Sequence, residues 1–153
     1  LIRDPHNFGT TTVASADTRR QLYATVFSSV SGTFTADEEI NQATTGAVGK
    51  VVEYDSTNKI LYWYQTRFPD VGTDSDGNLT AFSGANAITG QSSSAAATPN
   101  TSNSTTTNGV VFSSGYSNPE LAFDSGDIIY VEERSPITRA SDQTENIKLI
   151  VEF

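Results

Sequence analysis

The chain reads as an all-β protein, a small β-barrel or β-sandwich with one long low-complexity loop, and three observations predict it. Residues 20–28 (RQLYATVFS) are dense in β-branched and aromatic side chains and apolar on both faces, as a buried strand requires. The runs 50–55 (KVVEYD) and 59–67 (KILYWYQTR) are separated by the turn formers Ser56-Thr57-Asn58, which is a hairpin signal. No segment sustains the period of about 3.6 residues that marks an amphipathic helix.

Taken in order, the strand at 20–28 comes first. A short helical turn is expected at 36–40, where Thr35 caps and Glu38 completes a capping box. In the second hairpin strand Ile60, Tyr62 and Tyr64 point one way and Leu61, Trp63 and Gln65 the other. Residues 70–78 (DVGTDSDGN) are turn formers, and 90–109 (GQSSSAAATPNTSNSTTTNG) lacks any large apolar side chain. Such a segment cannot offset its ordering entropy by burial, so 91–109 is expected to be a disordered loop, removable from 92 to 107 with little loss of stability. Order resumes at Val110-Val111-Phe112, and Asn118-Pro119-Glu120 opens a turn. At the C-terminal end, the strand-like runs 128–132 and 147–153 flank a polar loop holding Arg134, Pro136, Arg139, Asp142 and Glu145.

At 153 residues the chain is long enough for one core, burying about 70% of its unfolded surface. One β-rich domain spanning 1–153 is therefore expected, with 30–90 as an inserted small β-module. The chain opens Leu1-Ile2-Arg3-Asp4-Pro5 and contains no Met, as expected of a processed chain or a fragment of a longer one. No apolar stretch approaches the about 20 residues of a membrane helix, so no membrane partner is expected. With 18 acidic against 9 basic residues the net charge is −9. Phosphate backbones repel such a chain, and no basic stripe with interleaved aromatics appears, so nucleic acid is not an expected partner. The absence of cysteine removes disulfides, thiolate metal sites and cysteine nucleophiles together.

Candidate chemistry is thin. His6 is the only histidine, so any triad or multi-histidine metal site would have to use it; a turn or surface role suits its Pro-Asn-Gly surroundings better. Asp74-Ser75-Asp76-Gly77-Asn78 resembles a calcium loop in its letters. Its Gly comes fourth and no late Glu follows, and an Asp-Gly hairpin turn explains it. The sequons at Asn78, Asn100 and Asn103 are what chance supplies in a chain rich in Asn, Ser and Thr. The carboxylate pairs Glu38-Glu39 and Glu132-Glu133 put neighbours on opposite faces of a strand, so neither is a glycosidase dyad by itself. Tyr62-Trp63-Tyr64 would suit stacking on a sugar, although core packing is the favoured use. No catalytic residue, metal ligand or cofactor is expected.

Two resemblances extend this reading. Residues 32–67, through Phe34, Glu38 or Glu39, Ile40, Thr45, Gly46, Ala47 and Gly49, resemble a short β-module of tailed-phage structural proteins. There Gly46 and Gly49 would permit a sharp reversal into the strand at Val51. Gly126, Ile129, Tyr130, Glu132, Arg134, Pro136 and Ile137, followed by Asp142-Gln143-Thr144-Glu145 and an apolar run, resemble the C-terminus of a baseplate wedge subunit. The family is the gene-product-8 protein of T-even-like contractile-tailed phages, and the opening Leu1-Ile2-Arg3-Asp4-Pro5 is similar to a strand that precedes this region there. Glu133 and Ser135 depart from the Asn and Pro of that pattern, and the middle of the chain stands as an insertion.

The resemblance implies a non-enzymatic structural subunit of a contractile-tail baseplate, made in the host cytoplasm and resident in the virion. Its implied partners are other baseplate or tail proteins and a second copy of itself. It also marks Arg134, Pro136, Arg139, Asp142 and Glu145 as an assembly loop, unless these residues merely satisfy one another. A carbohydrate-binding β-domain of a tail or receptor-binding protein is the alternative, and an enzyme fragment is the least favoured.

Overall fold

In the computed structural model, residues 1–15, 20–66, 71–122 and 125–131 are described. Eleven strands and no helix occur among them. In chain order they are β1 (Ile2–Arg3), β2 (Tyr23–Ser31), β3 (Glu39–Gln42), β4 (Ala47–Asp55), β5 (Ile60–Tyr64) and β6 (Ile88–Gly90). There follow β7 (Ala96–Pro99), β8 (Thr106–Thr107), β9 (Val110–Val111), β10 (Tyr116–Ser117) and β11 (Asp127–Ile128). Strands β2-β5-β4-β3-β6-β7 hydrogen-bond in that order, and β7 pairs back onto β2. The result is a closed six-stranded barrel in which every pairing is antiparallel. Residues 30–90, read above as an inserted module, supply β3, β4, β5, β6 and the end of β2.

The expected buried strand is β2. Ala24, Thr25, Val26 and Phe27 are all buried, because the two faces serve two layers. Phe27 packs inside the barrel with Leu61, Trp63, Val51, Ile40 and Ile88. Ala24 and Val26 point outward with Ile60 and Tyr62, and Val110 and Phe112 cover them. The alternation read for this strand is thus observed over residues 60–63, with Ile60 and Tyr62 in the outer core and Leu61 and Trp63 in the inner one.

The expected hairpin is β4–β5. Its turn is fixed by Asp55, whose Oδ1 accepts from the amides of Thr57 (2.9 Å) and Asn58 (3.0 Å), and Lys59 takes a positive φ of 55°. The register shifts between Val51, opposite Trp63, and Glu53, opposite Tyr62. Val52 is the extra residue of this bulge, and such an insertion inverts the alternation beyond it. Glu53 is consequently turned out to solvent, while Tyr54 packs inward against Phe34 at 5.6 Å. Of the two glycines expected to make a reversal, Gly46 does so, at φ 79°. Gly49 instead lies inside β4, where a Cβ would meet the Trp63 ring and Phe82 at 3.2 Å. It makes room for the barrel's largest side chain.

Two expectations need correction. The turn at 36–40 is not helical. Glu38 does reach back to the Thr35 amide at 2.7 Å, as in a capping box, but Asp37 sits at φ 64° and the chain enters β3. The second correction is the loop at 91–109, which is built into the fold. Ala95 and Ala97 are buried in the core, β7 pairs with both β2 and β6, and β8–β9 forms a hairpin about Asn108-Gly109. Large apolar residues are not needed here, because Gly32 and Ala95 pack closely: a Cβ on Gly32 would lie 3.2 Å from the Ala95 Cα. Backbone ladders on two sides supply what side-chain burial does not.

Deleting residues 92–107 removes β7 and opens the barrel, exposing the edges of β2 and β6. The shortened chain is expected to lose its cooperative thermal transition, as followed by near-ultraviolet circular dichroism. A melt within about 2–4 °C of the parent, the shift that about 1 kcal/mol gives a chain of about 150 residues or more, would show that β7 is dispensable.

Candidate functional site

The inward face of β3 carries Glu38 just before the strand, then Ile40, then Gln42, all nearly or fully buried. One strand therefore places a carboxylate toward one end of the barrel, an apolar residue in the middle and an amide toward the other. The Glu38 carboxylate, 4% exposed, accepts from the amides of Thr35 (2.7 Å), Ser92 (3.2 Å) and Ser93 (2.9 Å) and from the Ser93 hydroxyl (2.8 Å). Burial pushes this carboxyl up, but the hydrogen bonds from Ser93, Thr35 and Ser92 outweigh it and hold Glu38 below its ordinary range. Gly90 leaves space for it, since a Cβ there would come within 2.6 Å of Oε2.

Gln42 is the corresponding hub. Its Nε2 donates to the Asn86 carbonyl (2.8 Å) and the Tyr116 hydroxyl (3.2 Å). Its Oε1 accepts from the Thr45 hydroxyl (2.9 Å) and the Ser83 amide (2.9 Å). Tyr116 passes the chain on by donating to the Gly84 carbonyl at 2.8 Å.

Arg20 ties the start of β2 to residues 117–121. Its guanidinium donates to the Leu22 carbonyl, the Ser117 hydroxyl (2.9 Å) and the Asn118 carbonyl (2.8 Å). Its backbone amide donates to the Glu120 carboxylate at 3.0 Å, and its carbonyl accepts from the amides of Glu120 and Leu121. Burial lowers the Arg20 pKa, against the raising effect of Glu120 and Tyr62. Sequence reading did not single out Arg20 or Gln42. Each is a polar residue beside an apolar run, a signal that does not distinguish a solvated side chain from a buried hub.

The candidates drawn from the sequence are dispersed. Trp63 is 2% exposed; its ring stacks on Tyr23 at 4.6 Å and leans on Phe82 at 4.4 Å, and its Nε1 donates to the Thr25 hydroxyl at 2.9 Å. No face of the Trp63 ring remains for a sugar; Tyr62 packs against the outer cluster, and Tyr64, partly buried, lines an open cleft with Glu39 and Lys50. Asp74 closes a tight turn: its Oδ1 accepts from the amides of Asn78 (2.8 Å) and Asp76 (2.9 Å), and Gly77 has a φ of 78°. The bonds from Asn78 lead in lowering its pKa. Its carboxylate serves the backbone, as an Asp-Gly turn requires. Glu38 is buried and Glu39 exposed, the opposed orientation expected of strand neighbours.

His6 bridges to Val13, and its backbone amide donates to the Ser125 hydroxyl at 2.9 Å. No group of three or more metal-ligating side chains occurs among the described residues. Arg134, Pro136, Arg139, Asp142 and Glu145, together with Glu132 and Glu133, lie outside the described residues.

The opening segment finds its partner in the C-terminal region. β1 pairs antiparallel with β11, with Ile2 opposite Ile128 and Arg3 opposite Asp127. The Arg3 guanidinium meets the Asp127 carboxylate at 2.9 Å. Pairing continues past β11, where Ile129 donates to the Leu1 carbonyl at 3.0 Å. Gly126, at φ 86°, allows this approach: a Cβ there would lie 2.6 Å from the Arg3 carbonyl oxygen.

Compared with known protein families, residues 67–153, more than half of the chain, match the family of bacteriophage T4 Gp8, a baseplate protein. The chain belongs to the Gp8 family. No curated protein and no solved structure matches it. The Gp8 match begins after β5 and includes β6 to β11, so β2 to β5 precede it and β6 and β7 within it close the barrel. The Arg20 clamp and the β1–β11 ribbon each join a residue outside the Gp8 match to one inside it. A phage baseplate structural family accounts for the β-rich architecture and for the virion tail as the place of residence.

The Glu38 hub gives a pH-dependent expectation. A carboxyl held low in the fold stabilises it fully above the ordinary value of 4.5 and loses that contribution as the pH falls through the lowered folded value. Glu38→Gln should cost about 1.5–3 kcal/mol near neutral pH, read from urea unfolding. The gap between the variant and the parent should narrow in acid; a gap that is constant or widens would show that the carboxylate charge is not what the barrel uses.

Proposed function

We propose that this chain is a wedge component of a contractile-tail baseplate and works by protein–protein assembly. The observation that carries the proposal is the Gp8-family match over residues 67–153. The closed barrel supports it. Its two buried polar hubs are hydrogen-bonded to neighbouring turns, a rigid construction suited to holding surfaces in fixed relation. A subunit of this kind acts by presenting contacts that hold in one state of an assembly and rearrange in another.

The assembly loop in this proposal is formed by Arg134, Pro136, Arg139, Asp142 and Glu145. Arg134 and Arg139 offer planar, two-pronged donors to carboxylates of a neighbouring subunit, while Asp142 and Glu145 accept from its cations. Pro136 restricts the backbone between them. Partners are other baseplate or tail proteins, with a second copy of the chain among them. Neither nucleic acid nor membrane has a role, and no catalytic step or cofactor is required.

The test is a pair of substitutions, Arg134→Ala and Arg139→Ala, placed in the phage gene and in the purified protein. Truncating one partner of a buried interfacial charge pair costs about 2–5 kcal/mol. The doubly substituted protein should therefore drop out of purified baseplates while its own melting temperature stays that of the parent. Incorporation at the parental level would remove the loop from the assembly contacts.

A further inference from the structure

The aromatic triplet leaves one ring outside both cores. Trp63 belongs to the inner cluster and Tyr62 packs on the outer one, whereas the Tyr64 side chain joins neither and makes no ring contact or hydrogen bond among the described residues. It lies on the outer face of the barrel, where the register sets three residues in line. Glu39 on β3 stands opposite Lys50 on β4, and Lys50 stands opposite Tyr64 on β5. Directly opposed residues share a face, and two strand spacings make the row about 9–10 Å long. Glu39 and Lys50 are both exposed. The ion pairs among the described residues join Arg3 to Asp4 and to Asp127, so this carboxylate and this ammonium are unpaired although they are neighbours.

This row lines a cleft of about 350 Å³ together with Val48 and Val71, a volume within the about 300–1,000 Å³ of small-molecule sites. The wall at Val71 is fixed to the sheet that forms the floor. Gly72, at φ 67°, lies so close to β4 that a Cβ there would come 2.7 Å from the Val48 amide nitrogen. Gln65, next to Tyr64, donates to the carbonyls of Val48 (3.0 Å) and Thr80 (2.8 Å). The Thr80 amide in turn donates to the Gly72 carbonyl at 2.8 Å. These contacts hold the cleft in shape before any ligand arrives, and a preformed site has little ordering cost to meet on binding.

We propose that this cleft binds a neutral saccharide, with Tyr64 stacked on ring C–H groups, the Glu39 carboxylate accepting from ring hydroxyls and the Lys50 ammonium donating to them. A sugar ring is amphipathic: C–H groups cover its faces, and hydroxyls that both donate and accept surround its edge. The cleft offers an aromatic ring and two valines to the faces, and an acceptor-only and a donor-only side chain to the edge. One negative and one positive group leave no net charge to select an ion. A zwitterion satisfies Glu39 and Lys50, which stand side by side, but leaves Tyr64 unused. The saccharide site adds to the assembly reading and can fail separately from it.

The test is a titration of the purified chain with glucose, galactose, mannose and N-acetylglucosamine, and with a disaccharide of each, followed by proton–nitrogen correlation spectra. At least one sugar should bind with a dissociation constant of about 1 mM or lower. It should shift the backbone amides of Glu39, Lys50, Tyr64 and Val71 and leave those of β8 and β9 in place. Tyr64→Ala should weaken that binding about tenfold or more, while Tyr64→Phe, which keeps the ring, should stay within about threefold of the parent. Glu39→Gln and Lys50→Met, at exposed positions, should each weaken it about threefold or more. All four variants should melt with the parent, because none of these side chains belongs to either core. Shifts absent from these amides across the panel would overturn the proposal, as would an unchanged affinity in Tyr64→Ala or equal losses in Tyr64→Ala and Tyr64→Phe. Tighter binding of glycine than of any sugar would assign the cleft to a zwitterion and overturn it as well.

Discussion

The fold depends on β2 being paired along both edges. One edge carries β5 over residues 23–26; the other carries β10 at residues 24 and 25 and then β7 from Phe27 to Ser31. A register shift between Phe27 and Val30 bends the strand within its pairing with β7. Without β7 the same strands would be an open, curled sheet with two free edges, the arrangement that invites pairing with other chains. Closure also sets the size of residue tolerated at the seam. Gly32, Ala95 and Ala97 are small because two backbones meet there, while the Phe27 and Phe34 rings, 5.9 Å apart, fill the interior.

Closing a sheet into a barrel leaves two ends, and β3 supplies a polar residue toward each. Its inward residues are Glu38, Ile40 and Gln42, so a slip of one position would bury Glu39 and Asn41 instead and turn Ile40 out. The hydrogen-bond sets differ too sharply to be exchanged: Glu38 accepts from four donors, whereas Gln42 both donates and accepts. Buried polar groups of this kind contribute little net stability in themselves, but an unpaired one is costly. They penalise wrong registers more than they reward the right one. The Val52 bulge acts in the same sense on β4 by keeping Glu53 out of the core and bringing Tyr54 in.

These features differed in how far the sequence revealed them. β2 and the β4–β5 hairpin were legible because β-branched and aromatic residues repeat at strand spacing and Ser56-Thr57-Asn58 interrupts them. β7 was not, because Ala96, Ala97 and Pro99 have no strand preference of their own and Thr98 is a lone β-branched residue among them. They pair because β2 and β6 lie on either side, and that is a tertiary fact. The Ser- and Thr-rich composition around them carries the same letters as a disordered linker. Glu38 was recognised as a partner of Thr35, and the local contact exists, yet Ser92 and Ser93 more than fifty positions away decide what it means. Arg20 and Gln42 gave no periodic signal, since a single polar residue beside an apolar run has none. Of the loop at 134–145, sequence supplies the residue types and nothing about their arrangement.

The boundary of the Gp8 match falls inside the barrel, which bears on how the chain is organised. Residues 67–153 contribute β6 and β7 to the closed sheet, β10 to the edge of β2 and β11 to the ribbon. Residues before 67 contribute β2, β3, β4 and β5, and they bind the matched part through Arg20, through Glu38 at Ser92 and Ser93, and through β1 at β11. Neither part closes a sheet without the other. Four strands cannot form this six-stranded barrel, and β6 with β7 presents a two-stranded ribbon too small to be stable alone. A match that ends at a sequence boundary therefore marks where family likeness becomes recognisable, not where a folding unit begins. Alterations before residue 67 can disturb the matched region through these shared pairings, without touching any residue that the family likeness identifies.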